Sequence, residues 1–131
     1  MKFGYTIFYV QSVEETIQFY EAAFGFNRIF LTPEKDYGEL STGGTTLAFA
    51  SIELGKSNFK NGFHPIDETP KPVGMELAFV TEDIENDFQK AIDAGARSYE
   101  NVTAKPWGQK VGYVLDNNGI IIELCTPIKT A

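Results

Sequence analysis

Two glutamates of this chain stand where strand alternation turns them the same way. In Met75-Glu76-Leu77-Ala78-Phe79-Val80, successive side chains point to opposite faces, so Met75, Leu77 and Phe79 share the face that packs helices while Glu76, Ala78 and Val80 share the other. The same rule places Ile120, Ile122 and Leu124 on a packed face and Ile121, Glu123 and Cys125 opposite them. Near the N-terminus, Tyr5, Ile7 and Tyr9 alternate with Thr6, Phe8 and Val10. The expectation is a mostly apolar cleft that holds two acids. Burying a carboxylate without a partner is costly, so Glu76 and Glu123 either pair with Lys105, Lys110 or a backbone donor, or are protonated, hydrated or bound to something cationic. Tyr5, Tyr9 and Trp107 add ring faces that attract a cation.

Other chemistry is scarce. There is no Gly-rich phosphate loop, nucleophile elbow or paired-cysteine zinc motif, and Gly43-Gly44 belongs to a hairpin turn. His64 is the sole histidine and lies in a connecting stretch, where such residues usually face solvent. The lone Cys125 sits in a strand context that favours a buried, inert thiol. Trp107 occupies an insertion, Thr103 to Gln109, between a short strand near Ser98-Tyr99 and a strand from Val111 to Leu115. Its flanking Pro106 and Gly108 suit a loop that either presents the ring to a ligand or plugs one end of the fold with it.

The elements that position these residues occur twice. Phe8 to Ile17 reads as a strand entering a helix, and Phe79 to Phe88 repeats the pattern. Val13, Ile17 and Tyr20 correspond to Ile84, Phe88 and Ala91, all at the spacing of one helix face. Helices are expected near 13–24 and 83–94, stopped at Gly25 and Gly95, which take the left-handed conformation without a Cβ penalty. Each half then makes a hairpin, turning at Thr42 to Thr45 and at Asp116 to Gly119. Two units that each bury only one sheet face must share a core, and their junction can form a cleft. The reading is a single domain over residues 1–131, with a first module near 3–54, a connection over 55–72 and a second module near 73–127. Phe59 and Phe63 make that connection too apolar for a purely solvated linker, so it should lie across the protein and over the cleft.

Composition supports one core without staples: 131 residues, 43% hydrophobic and 14% aromatic. The formal charge of -7, with no clustered Lys/Arg face, argues against nucleic acid. No apolar run has the length of a membrane span, and no signal stretch follows Met1-Lys2. The expected compartment is the cytoplasm.

Tyr9-Val10, Phe19-Tyr20, Phe24-Gly25-Phe26, Ala78-Phe79 before Asp83, and Tyr113 to Gly119 followed by Glu123-Leu124 together resemble the vicinal oxygen chelate superfamily. That superfamily includes glyoxalase I, extradiol dioxygenases and bleomycin resistance proteins. The resemblance covers almost the whole chain. It implies an α+β fold of two βαβββ modules forming an open, cleft-containing barrel, usually in a homodimer. It also implies four metal-ligand positions, which here fall on Tyr5, Ala48, Glu76 and Glu123. Only the second half keeps carboxylates there, and two carboxylates fall short of the three or four donors that zinc or iron normally takes.

The expectation is therefore a small-molecule binding protein without a metal or other cofactor, sequestering a cationic or aromatic compound through Tyr5, Tyr9, Glu76, Trp107 and Glu123, with no catalytic residue assigned. The alternative is a lyase, isomerase or dioxygenase whose divalent metal is held by Glu76 and Glu123 and acts on vicinal oxygens.

Overall fold

The computed structural model describes residues 1–128 and shows one topology built twice. The first module runs β1 (Tyr5–Val10), α1 (Val13–Phe24), β2 (Asn27–Leu31), β3 (Tyr37–Ser41) and β4 (Thr46–Ser51). The second runs β5 (Glu76–Val80), α3 (Ile84–Asp93), β6 (Arg97–Ala104), β7 (Lys110–Leu115) and β8 (Ile121–Cys125). Each makes a four-stranded sheet, ordered β1-β4-β3-β2 and β5-β8-β7-β6, in which the first and last strands in sequence pair in parallel and the hairpins pair antiparallel. This is the expected α+β fold of two βαβββ modules. The two sheets do not close into a barrel, and the cleft stays open.

Local chemistry explains the helices. The Ser12 side chain caps α1 by accepting from the Glu15 amide, and Gly25, at φ 74°, ends it. Residues Val13, Ile17 and Tyr20 then fall on one buried face. The core they enter is continuous across the modules, joining Phe8, Val10, Leu40 and Phe49 to Ile84, Val114, Ile122 and Leu124. Helices α1 and α3 pack against each other, and Phe24 and Phe26 meet Phe79 edge-on at 5.1 and 4.8 Å.

A polar lock reinforces the junction. The hydroxyl of fully buried Tyr20 donates to Asp116 Oδ2 at 2.6 Å, although Asp116 belongs to the β7–β8 turn of the other module. Asp116 Oδ1 accepts from the amides of Asn118 and Ile120, both at 2.8 Å, and Asn118 Nδ2 donates to Thr16 on α1. The hairpin turn and the first helix therefore fix each other's position.

Two elements depart from the expectation. The connection opens with a helix, α2 (Ile52–Asn58), which is capped by Ser51 accepting from the Leu54 amide. Strand β6 runs eight residues, through Ala104, so part of the Trp107 insertion is strand and only a tight turn remains, with the Lys105 amide donating to the Gln109 carbonyl. Among the described residues no helix is long and apolar enough to cross a membrane.

Candidate functional site

The second sheet brings Glu76 and Glu123 together on its open face. Register pairs Ala78 with Glu123 and Glu76 with Ile121, so the two acids are diagonal neighbours on adjacent parallel strands. Their carboxyl groups are near enough for the charge of Glu123 to act on Glu76. A third group joins them. Tyr113 lies opposite Glu123 across the β7–β8 ladder, and its hydroxyl donates to Glu123 Oε1 at 2.9 Å. Cys125 is the next open-face position along β8 and is buried, its sulfur 3.8 Å from the Phe79 carbonyl oxygen.

The electrostatics follow from this crowding. Partial burial, then the charge of Glu123 and a hydrogen bond to it, raise the Glu76 pKa above the ordinary carboxyl value. Burial and the Glu123 bond push the Tyr113 hydroxyl up to about 12, so it stays a proton donor at neutral pH. Burial, reinforced by Glu123 and Glu76, also raises the Cys125 thiol and keeps it un-ionised and unreactive. The arrangement is a carboxyl pair that one proton can bridge, steadied by a phenol. It can accept hydrogen bonds from an ammonium, an amidinium or another donor-rich ligand.

The surroundings differ from the expected apolar cleft. Glu76 is solvent-exposed, as are Ala78 and Val80 beside it, and Glu123 is half-buried. A single chain leaves this face uncovered, so water meets much of the charge. Lys110 does not neutralise the pair: it bonds Glu85 at 2.8 Å. Met75 was expected on the packed face, but it precedes β5 and is 49% exposed because the strand alternation has not yet begun there.

The other expected residues lie elsewhere. Tyr5 and Tyr9 are on the open face of the first sheet. Tyr5 is 57% exposed and close enough to Tyr37 to influence its ionisation. Tyr37 in turn donates to Glu39 Oε2 at 2.7 Å, and burial followed by this bond raises its pKa. Glu39 sits in register with Ala48, so a carboxylate stands one strand away from that empty ligand position. Tyr9 packs under the connection, against Phe59 and Phe63. Trp107 is 63% exposed at the β6–β7 turn, its indole N–H bonded to Gln109, and lines a separate cavity with Glu82, Glu85 and Lys110. No barrel end is plugged by it.

Sequence reasoning missed Tyr113, Tyr37 and Glu39. The signal was present in the hairpins: a turn over Asp116 to Gly119 sets Tyr113 opposite Glu123, and one over Thr42 to Thr45 sets Glu39 opposite Ala48.

A divalent metal fits these donors poorly. Among the described residues no group of three or more His, Cys, Asp or Glu converges, and His64 is exposed in the connection. Two carboxylates, one already accepting from a tyrosine, leave a hard ion short of protein oxygens.

Several solved structures share this architecture. A glyoxalase-related enzyme from Fulvimarina pelagi superposes with a TM-score of 0.80 at 21% identity, covering 97% of this chain and 88% of that one. A glyoxalase/bleomycin resistance protein/dioxygenase family enzyme from Burkholderia phytofirmans PsJN gives 0.82 at 17% identity, over 96% and 98% of the two chains. TioX from Micromonospora sp. ML1 gives 0.72 at 16% identity, again over 96% and 98%. At these identities the likeness shows the fold alone. No curated protein matches the chain. The family model for the Glyoxalase/Bleomycin resistance protein/Dioxygenase superfamily matches residues 2–124, and the chain belongs to that superfamily.

Proposed function

We propose that this protein binds a small cationic or aromatic molecule without a metal, using the acid pair of the second sheet as its polar anchor and acting by sequestration. The supporting observation is the convergence of Glu76, Glu123 and Tyr113 on an open face where, among the described residues, no group of three His, Cys, Asp or Glu is placed to hold a metal ion. Glu76, whose pKa is raised beside the charge of Glu123, gains when a cation lies between the two carboxyl groups. Tyr5 and Trp107 are further contacts in this reading, contributed by the first sheet and the β6–β7 turn, whereas Tyr9, packed against Phe59 and Phe63, is not part of it.

The face needs a cover. Tyr5 and Val80 are 57% and 67% exposed, and β1 and β5 are sheet edges. A homodimer that sets the open face of one module against that of another would bury these residues and enclose the acids. The free Cys125 thiol suits a cytoplasmic setting.

One observation supports the second reading, a metal-dependent lyase, isomerase or dioxygenase. Glu39 faces the open side of the first sheet, and a dimer of this kind could add it to Glu76 and Glu123 as a third carboxylate. Calorimetry separates the two readings. EDTA-treated protein titrated with benzamidinium should bind, and Glu123→Gln should weaken binding by about tenfold, the loss of one charge-assisted hydrogen bond. Binding that appears only after Mn²⁺ or Zn²⁺ is restored would favour the metal enzyme.

A further inference from the structure

The connection between the modules builds a cavity of its own. Helix α2 approaches β1 so closely that a Cβ on Gly55 would stand 2.7 Å from Tyr9 Cδ1 and 2.8 Å from Phe63 Cε1, so only glycine seats the helix there. Tyr9 and Phe63 stack with centroids 5.0 Å apart, and Phe59 meets them edge-on at 5.8 and 6.1 Å. These rings form one wall of a cavity of about 250 Å³, completed by Ile7, His64 and Met75 among others. Ile7, Phe59 and Met75 are 43%, 46% and 49% exposed, which leaves three large apolar side chains wet around a single hollow.

The lining selects the occupant. None of the lining residues is Asp, Glu, Lys or Arg, so a charged molecule would lose its hydration with no partner in return. The volume falls just below the range usual for drug-sized ligands, the scale of one or two rings. His64 is the one side chain of the set that can both donate and accept through an aromatic nitrogen, and its exposed ring is open to a ligand. Neither Glu76 nor Glu123 lines the cavity.

We infer that this cavity is a second binding site, for a neutral planar aromatic molecule of phenol or indole size, with the ring against Tyr9, Phe59 and Phe63 and its O–H or N–H bonded to His64. The site is independent of the acid pair and stands whether or not that pair binds a cation.

Methionine methyl spectra test it directly. The chain has two methionines: Met75 lines the cavity, and fully exposed Met1 serves as an internal control. In full-length protein carrying [ε-¹³C]methionine, phenol or indole should shift the Met75 signal by ring current to saturation while Met1 stays still. His64→Ala should weaken phenol about fivefold, one hydrogen bond's worth, and leave toluene unchanged. Glu123→Gln should leave all three titrations as they were. The inference fails if tetramethylammonium shifts Met75 where phenol does not, if Glu123→Gln abolishes the phenol response, or if Met75 moves with protein concentration but with no aromatic probe. The last result would assign the cavity to a second copy of the chain.

Discussion

Tyr20→Phe removes one oxygen and keeps the ring, which isolates the bond that ties α1 to the β7–β8 turn. The hydroxyl lies 2.6 Å from Asp116 Oδ2 with both residues almost wholly buried, so water cannot replace it. A hydrogen bond to a charged, buried partner contributes about 1.5–3 kcal/mol. For a chain of 131 residues this corresponds to a melting point lower by roughly 5–12 °C. The pH dependence supplies a second signature. Burial raises the Asp116 pKa, while the Tyr20 hydroxyl and the amides of Ile120, Asn118 and Gly119 pull it down without cancelling the shift. Ionisation of such a carboxyl opposes folding: stability is fullest below its unfolded pKa and declines as pH rises through the folded one. Loss of the hydroxyl raises the folded value further, so the deficit of Tyr20→Phe should widen from acid to neutral pH. Calorimetric melting of wild type and variant between acid and neutral pH measures both effects. A melting point within roughly 2 °C of wild type, or a deficit independent of pH, would refute the lock.

Three further outcomes follow from the same geometry. Glu76→Gln removes one of two diagonal like charges and should stabilise the protein at pH 7 by about 0.2–1 kcal/mol in denaturant titrations. Because the folded Glu76 pKa is raised, wild-type stability should fall as pH climbs from the unfolded carboxyl value through the folded one, and the Gln variant should lose that slope. Gly55→Ala drives a Cβ into Tyr9 and Phe63 and should cost about 1–3 kcal/mol by the same titration, as overpacked cores do. Light scattering should give twice the 14.6 kDa chain mass, and a monomer at every concentration would remove the proposed cover of the open faces.

The fold was legible where local chemistry and periodicity agreed. Helix α1 starts after a serine cap and stops at a glycine in the left-handed region, and both signals are written in the chain. Strand alternation put Glu76 and Glu123 on one face because the period of two is strict once pairing begins. Helix α2 was hidden because Gly55 lowers helix propensity, and the reason for that glycine, the rings of Tyr9 and Phe63, is tertiary. Strand β6 was read too short because its polar sequence, exposed along nearly its whole length at a sheet edge, shows no alternation. The exposure of the acids was not readable either. Alternation says which way a side chain points but not whether anything faces it, and in one chain Glu76, Ala78 and Val80 on the open side of the second sheet face solvent.

Melting the wild type with and without EDTA, alongside Glu76→Gln, tests the acid pair most directly. A carboxyl pair that works without a metal predicts a melting temperature indifferent to chelator and a Gln variant at least as stable as wild type. A bound ion would stabilise the folded state by mass action. A drop in EDTA that Mn²⁺ or Zn²⁺ reverses and Glu76→Gln abolishes would contradict the metal-independent reading and make Glu76 a ligand.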